Sequence, residues 1–291
     1  MKKRLVDLHT HSTYSDGTKS PKELLNLAQE KGISILALTD HDEIAGSKEL
    51  IKHNDIDIYL YSGVELTATV PKGRMHILGY NIDLENEKLN NRIAKLKEDA
   101  IYNIMLYIEV LKHDFNIHLP EEELLSIINK EGNVGRPHLA ALLIKYGYCT
   151  EIEEAFQKYL ITAYDRVRKL KRGLSKEECI DLIISSGGIV SLAHPSSLKL
   201  SNEELDKEVA YLKSLGMQCL EVIHINNTQE QREYYLSLAK KYNLLISGGT
   251  DYHGKEVKPD VELGTGRNGN IDIREDTLTL TKNIKSRYMG R

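Results

Sequence analysis

Short apolar runs alternate along this chain with segments that begin like amphipathic helices, and few folds are compatible with that alternation. Ser20, with Pro21 next and Glu23 three residues on, forms a capping box that starts a helix. The same pattern recurs at Ser175, Ser201 and Thr228. The apolar runs, which predict strands, cover residues 33–39, 56–61, 189–193, 219–225 and 244–247. The alternation therefore predicts an α/β fold whose parallel strands are covered by helices.

Residues 84–169 interrupt this alternation. They contain helical patterns at 89–112, 121–129, 136–146 and 152–159 and no convincing strand. We therefore expect a main body made of residues 1–83 and 170–291, and an inserted helical subdomain of residues 84–169 that could form a lid over a site. Five of the seven residues 166–172 are basic, which indicates either a solvated loop or an edge that contacts phosphate.

Charge, apolar run length and cysteine usage exclude several classes of protein. The chain has 39 Lys and Arg against 43 Asp and Glu, a net charge of −4, so we expect no stable duplex nucleic-acid partner. Its apolar runs are far shorter than the roughly 20 residues of a membrane span, so we expect no membrane partner. Its three cysteines are far apart in the sequence, which indicates reduced thiols and a cytoplasmic protein.

Histidines and carboxylates follow the first strand, near the N-terminus, and the apolar run at residues 33–39. In VDLHTHSTYSDG, His9 and His11 end the first strand, and their spacing of two places both rings on one face. Asp16 comes next, in the predicted turn. His41 follows the run at residues 33–39, directly after Asp40, which could equally be the N-cap of the next helix. Potential ligands thus gather where strands pass into loops, the usual place for function in α/β proteins.

Five more such residues lie further along the chain. Glu65 follows an apolar stretch, and His76 lies among apolar residues; alone, they would be a solvated strand end and a packed core histidine. His194 ends the run GGIVSLAHP, and Asp251 and His253 follow LLISGG. Six histidines and three carboxylates placed this way have no comparable structural explanation, because buried ionisable groups are costly unless paired or metal-bound.

These segments resemble the motifs of the PHP (polymerase and histidinol phosphatase) domain family. The matching stretches are VDLHTHSTYSDG, TDH at 39–41, AHP at 193–195 and GTDYH at 249–253, and the resemblance covers roughly residues 2–83 and 170–263. It implies an α/β fold, a distorted seven-stranded (β/α) barrel with an inserted helical subdomain. The insertion resembles that of the small bacterial nucleotide phosphoesterases in the family.

The resemblance also implies roles for single residues. It assigns nine side chains to three ions, the first bound by His9, His11, Glu65 and Asp251, the second by Glu65, His76 and His194, and the third by Asp16, His41 and His253. Arg136 and His138, in GRPHLA, are similar to a substrate-phosphate contact of the same subgroup. His138 is one option for protonating the leaving group, and His224 is a candidate pocket residue. A nitrogen and oxygen ligand set without thiolates suits Mn²⁺, Fe²⁺ or Zn²⁺, so we expect two or three such ions.

The charge of such a site favours a phosphate substrate. Three divalent ions would outweigh three carboxylates and attract an anionic phosphoester. A metal-bound hydroxide would be the in-line nucleophile, and Arg136 would neutralise charge that develops on the phosphoryl oxygens. As metal ligands, Asp16 and His194 are expected to be indispensable to catalysis.

The leading hypothesis is a metal-dependent phosphoesterase that acts on a nucleotide, either a 3′,5′-nucleotide bisphosphate or a short 5′-phosphorylated oligoribonucleotide. Histidinol phosphate is the alternative substrate, although relatives that use it usually carry His in place of Asp16 and lack this insertion. A non-catalytic metal-binding regulatory module is an alternative of another class, which the presence of all nine ligand types disfavours. A metal-dependent amidohydrolase on a similar barrel usually has a bridging Lys and a different order of histidines.

Overall fold

The structure is a computed structural model that describes residues 4–53, 56–128, 135–283, 285 and 287–288. The strands are β1 (Leu5–Asp7), β2 (Ile33–Leu38), β3 (Tyr59–Ala68), β4 (Met75–Tyr80), β5 (Ile189–Leu192), β6 (Cys219–His224), β7 (Leu245–Gly249), β8 (Val261–Glu262) and β9 (Gly266–Arg267). The α-helices are α1 (Pro21–Glu30), α2 (Ala45–Lys52), α3 (Glu87–Phe115), α4 (Glu121–Ile128), α5 (Arg136–Lys145), α6 (Ile152–Ala155), α7 (Ile161–Val167), α8 (Lys176–Ser185), α9 (Asn202–Ser214), α10 (Gln229–Lys241) and α11 (Thr279–Asn283).

The first seven strands form one sheet in sequence order, and β8 and β9 form a separate ribbon. The two ends of the sheet approach each other, since Leu8 N donates to Gly248 O at 3.3 Å and Thr10 pairs with Tyr252. The sheet is therefore a nearly closed barrel with helices around it, and the predicted distorted seven-stranded α/β barrel is confirmed.

The five predicted strands all run in the same direction, and β4, which was not among them, runs against the rest of the sheet. β4 is antiparallel to both β3 and β5, whereas the remaining neighbours in the sheet pair in parallel. Residues 69–74 join β3 to β4 and are too few for the crossover that a parallel pair needs. The reversal places the start of β4 at the rim where the other six strands end.

The chain divides into two compact units, Met1–Asn91 with Leu174–Arg291 and Arg92–Gly173. The core of the first unit includes the buried stripe of α1, formed by Leu24, Leu25 and Ala28. The second unit has a core of its own that includes Tyr107 and Leu139. Its described residues, 92–128 and 135–173, contain helices and no strand, as the sequence predicts; residue 129 of one predicted helix lies outside the described residues. No helix of the described chain has the length and apolar character to cross a membrane.

Candidate metal centre

The structure brings all nine predicted ligands to one rim of the barrel. His9 and His11 follow β1, Asp16 lies in the loop before α1, His41 follows β2, Glu65 lies in β3, His76 in β4, His194 follows β5, and Asp251 and His253 follow β7. The reversed direction of β4 explains why His76, near the start of its strand, joins residues near the ends of theirs. Asp16 is the most exposed of the acidic groups, with 53% of its side-chain surface accessible.

Glu65 is buried at the middle of this cluster. Its Oε2 lies 3.1 Å from His9 Nε2, 3.2 Å from His11 Nε2 and 3.2 Å from His41 Nδ1. Its Oε1 lies 2.8 Å from His76 Nδ1 and 3.0 Å from His194 Nε2. Burial alone would raise the pKa of the Glu65 carboxyl, but the nearby histidines outweigh it and lower that pKa well below its usual value. Glu65 is therefore ionised and able to act as a ligand.

Two further carboxylates complete the cluster. Asp251 Oδ1 lies 3.3 Å from His11 Nε2 and 3.5 Å from His9 Nε2. Asp16 Oδ1 lies 3.1 Å from His253 Nε2, and Asp16 Oδ2 lies 4.0 Å from His41 Nε2. Each of these two carboxylates thus faces at least two imidazoles.

Three groups of side chains have donor atoms within 4.8 Å of one another: His9, His11, Glu65 and Asp251; His11, Asp16, His41 and His253; and His41, Glu65 and His76. The first group has the membership that the resemblance implies for one ion. The second contains the three residues expected at another ion together with His11. The third group contains His41 where the resemblance implies His194. His194 nevertheless contacts Glu65, the shared member of that group, through its Nε2.

The donor atoms fit divalent transition metal ions. His11 Nε2 is buried and has no hydrogen-bond partner within the described part of the chain, although oxygens of Glu65 and Asp251 lie within 3.3 Å. A cation placed between this nitrogen and the two oxygens would give His11 Nε2 the partner that the described protein atoms do not supply. Imidazole nitrogen and carboxylate oxygen together suit Mn²⁺, Fe²⁺ and Zn²⁺.

Several of the nine side chains have a second contact, on the side away from the cluster, with residues that the sequence analysis did not single out. His9 Nδ1 lies 2.9 Å from Glu221 Oε1, and His194 Nδ1 lies 2.8 Å from Ser197 Oγ. Lys258 Nζ donates to Asp251 Oδ2 at 2.6 Å. Such outer contacts orient metal ligands in proteins. A glutamate inside the apolar run of β6 was the one available signal for Glu221.

Asp40 has a different role from the predicted helix cap. The N-cap of α2 is Ile44 and makes no side-chain cap, so the capping interpretation is wrong. Asp40 instead accepts hydrogen bonds from Ser12 N at 2.7 Å and from Ser15 Oγ at 2.7 Å. It anchors the loop that carries His11 and Asp16, because a buried carboxylate is stabilised by these donors.

His224 lies beside the cluster rather than on an open surface. It is 1% exposed, and its Nε2 lies 3.6 Å from Asp251 Oδ2. Burial lowers the pKa of its imidazole. Its role as a pocket residue stays a prediction.

The second unit holds the residues predicted to contact phosphate. Arg136 begins α5, and its guanidinium lies over the rings of Phe156 and Tyr164 at 5.7 and 5.6 Å. His138 Nδ1 accepts a hydrogen bond from Gly135 N at 3.2 Å. The predicted contacts of Arg136 and His138 with substrate stay predictions.

The basic run at residues 166–172 is partly neutralised within the second unit. Arg166 pairs with Asp114 at 2.7 Å, and Arg168 pairs with Asp165 at 3.2 Å. The Arg172 guanidinium lies 3.8 Å from the centre of the Tyr102 ring. Because these exposed basic side chains already have partners, the contacts favour a solvated loop over an edge that contacts phosphate.

Known proteins share this sequence and this fold. The 5′-3′ exoribonuclease Rnm of Salmonella typhimurium is 31% identical over 268 residues, covering 89% of this chain and 88% of the relative. The 3′,5′-nucleoside bisphosphate phosphatase of Chromobacterium violaceum is 24% identical over 249 residues, covering 85% and 87%. A solved structure of a presumed metal-dependent phosphoesterase from Bifidobacterium adolescentis superimposes with a TM-score of 0.75 and 29% identity, covering 94% of each chain. The PHP domain model matches residues 7–243, and the chain therefore belongs to the PHP domain family.

Proposed function

We propose that this metal-dependent phosphoester hydrolase acts on nucleotides. It would remove a phosphate group from a 3′,5′-nucleotide bisphosphate, or a nucleotide from the 5′ end of a short 5′-phosphorylated RNA. The observation that carries the proposal is the convergence of five imidazoles on the buried carboxylate of Glu65. The relatives named as an exoribonuclease and a nucleoside bisphosphate phosphatase support a nucleotide substrate.

The nine side chains would hold two or three divalent ions, either Mn²⁺, Fe²⁺ or Zn²⁺. Such ions, when bound, supply a nucleophilic hydroxide near neutral pH and polarise a phosphoryl oxygen. Glu65 would serve two ions, because its two oxygens face different sets of histidines. Asp16 and His41 are the most accessible of the nine side chains, so the substrate phosphate would approach from their side.

Substrate recognition is proposed on the family resemblance. Arg136 would bind a substrate phosphate, for which a guanidinium is suited because its fork donates two parallel hydrogen bonds. His138 would donate the proton to the leaving oxygen. We also propose the cytoplasmic location predicted from the cysteines: Cys149, Cys179 and Cys219 are buried and form no disulfide in the described part of the chain.

A substrate panel with added Mn²⁺ tests the proposal. Phosphate release would be measured for a 3′,5′-bisphosphonucleotide, a 5′-mononucleotide and histidinol phosphate, and a 3′-labelled, 5′-phosphorylated short RNA would be resolved on a gel. We expect turnover of the bisphosphonucleotide, stepwise shortening of the RNA from its 5′ end, or both. Preference for histidinol phosphate would replace the proposed substrate. No turnover of any of these by metal-loaded protein would favour the regulatory module.

A further inference from the structure

Glu221 is a buried glutamate that the proposed reaction does not use. It lies in the middle of β6 between the buried residues Leu220 and Val222, and it is completely inaccessible. Burying a carboxylate costs several kcal/mol unless other groups pair with it. The partners of Glu221 therefore indicate what it does.

Those partners are two of the predicted metal ligands, carried by different strands. Glu221 Oε1 lies 2.9 Å from His9 Nδ1, and Glu221 Oε2 accepts the backbone N–H of His194 at 2.6 Å. His194 has φ 23° and ψ 70°, a conformation that residues other than glycine rarely adopt. The hydrogen bond to its amide helps to hold the His194 backbone in this unfavourable conformation.

The carboxylate also determines which nitrogen of His9 carries a proton. An ionised carboxylate only accepts hydrogen bonds, so His9 must donate from Nδ1. The lone pair of a neutral His9 ring then lies on Nε2, which faces Glu65 Oε2 at 3.1 Å and Asp251 Oδ1 at 3.5 Å. This is the orientation that a metal ligand needs.

We propose that Glu221 is a positioning residue that fixes the His9 tautomer and the His194 backbone together, and so prearranges two ligands from separate strands. The inference rests on the proposed metal centre. Loss of such an outer partner typically lowers metal affinity 10- to 100-fold.

The test replaces Glu221 by glutamine. In Glu221→Gln the amide oxygen can still accept from His194 N, but the amide N–H₂ would donate to His9 Nδ1 and move the ring proton to Nε2. We expect Zn²⁺ and Mn²⁺ to bind about 10- to 100-fold more weakly, measured by competition with a chelating dye. Ring ¹⁵N shifts of His9 in the Zn²⁺-loaded proteins should show the changed tautomer. Glu208→Gln is the control, because Glu208 is paired with Lys176 outside the cluster.

Glu221→Asp covers the case in which Glu221→Gln does not fold. It keeps an acceptor-only carboxylate, so the His9 tautomer should be unchanged and the metal affinity should fall less. Equal metal affinity in wild type and Glu221→Gln, with only a lower thermal midpoint, would overturn the inference and leave the proposed function standing. Wild-type protein that binds no metal would overturn both.

Discussion

Glu65 uses its two carboxylate oxygens toward different histidines, and this division organises the centre at the scale of single residues. Oε2 faces rings that follow β1 and β2, while Oε1 faces His76 and His194. A single side chain can therefore contribute to two ion sites only if both oxygens carry negative charge. The ionised state of Glu65, rather than its size, is the property that matters.

Glu65→Gln should keep the fold and lose at least about 100-fold in turnover, because it preserves shape and removes the shared charge. Steady-state phosphate release and the far-ultraviolet circular dichroism spectrum measure the two effects. Glu262→Gln, which alters a partly exposed glutamate paired with Lys31 and Lys255, is the control and should remain active. Turnover by Glu65→Gln within a few-fold of wild type would show that Glu65 is not a ligand.

Lys258 fixes the orientation of Asp251. Its ammonium donates to Asp251 Oδ2 at 2.6 Å and leaves Oδ1 facing His9 and His11. We expect Lys258→Ala to lower turnover about 10-fold at limiting metal and less at saturating metal, because the carboxylate loses its outer partner. A metal titration of activity separates the two conditions. Lys255→Ala removes a neighbouring exposed lysine, and an equal loss in that variant would argue against a specific role for Lys258.

The sequence identified the nine candidate ligands because each follows or lies in an apolar run, where an ionisable side chain is conspicuous. Glu221 also lies in an apolar run and Lys258 does not, but only the structure shows which ligands these two residues contact. The sequence left open whether Asp40 caps a helix, because a carboxylate before a helix is often a cap; here Ser12 and Ser15 donate to its oxygens instead. One sequence alone does not show which side chains that are far apart in the chain contact each other.

At the scale of secondary structure, the direction of β4 decides whether the centre is complete. His76 reaches Glu65 because the short β3–β4 connection forces an antiparallel pair. Residues 75–80 were not among the predicted strands, and apolar periodicity would not have given the direction of this strand. The helix starts were better specified, since both hydrogen bonds of the capping box are present at Ser20, Ser201 and Thr228.

The box at the start of α10 provides a test that does not involve the metal centre. Thr228 Oγ1 accepts from Gln231 N at 3.2 Å, and Gln231 Oε1 accepts from Thr228 N at 2.9 Å. Thr228→Ala should lower the free energy of unfolding by about 1 kcal/mol without reducing activity. Chemical denaturation measures the change, and Ser237→Ala, on an exposed interior position of the same helix, should be close to neutral. Equal effects of the two substitutions would contradict the capping role.

At the scale of the whole molecule, contacts between β1 and β7, the first and last strands of the sheet, close the barrel. The proposed ion sites lie beside these contacts. His11 N donates to Tyr252 O at 2.9 Å, next to Asp251. Ligands that bind only the folded state stabilise it, by about 2.7 kcal/mol at a free concentration of 100 times Kd. Metal binding should therefore be visible in global stability.

Removal of metal with a chelator should lower the thermal midpoint and abolish turnover, and added Mn²⁺ should restore both. Scanning calorimetry and phosphate release on the same sample measure these effects. The Glu65→Gln protein should show a much smaller metal-dependent shift. An unchanged midpoint on chelation and reloading of the wild-type protein would argue against ions bound within the fold.

The central claim is that the nine side chains bind a cluster of divalent ions, and anomalous diffraction from crystals of Mn²⁺-loaded protein tests it most directly. We predict two or three peaks among Glu65, Asp16 and Asp251, each within bonding distance of the imidazoles that face those carboxylates. Anomalous peaks located only elsewhere on the protein would contradict the claim. So would the absence of any peak among the nine side chains in crystals of protein that is saturated with Mn²⁺ in solution.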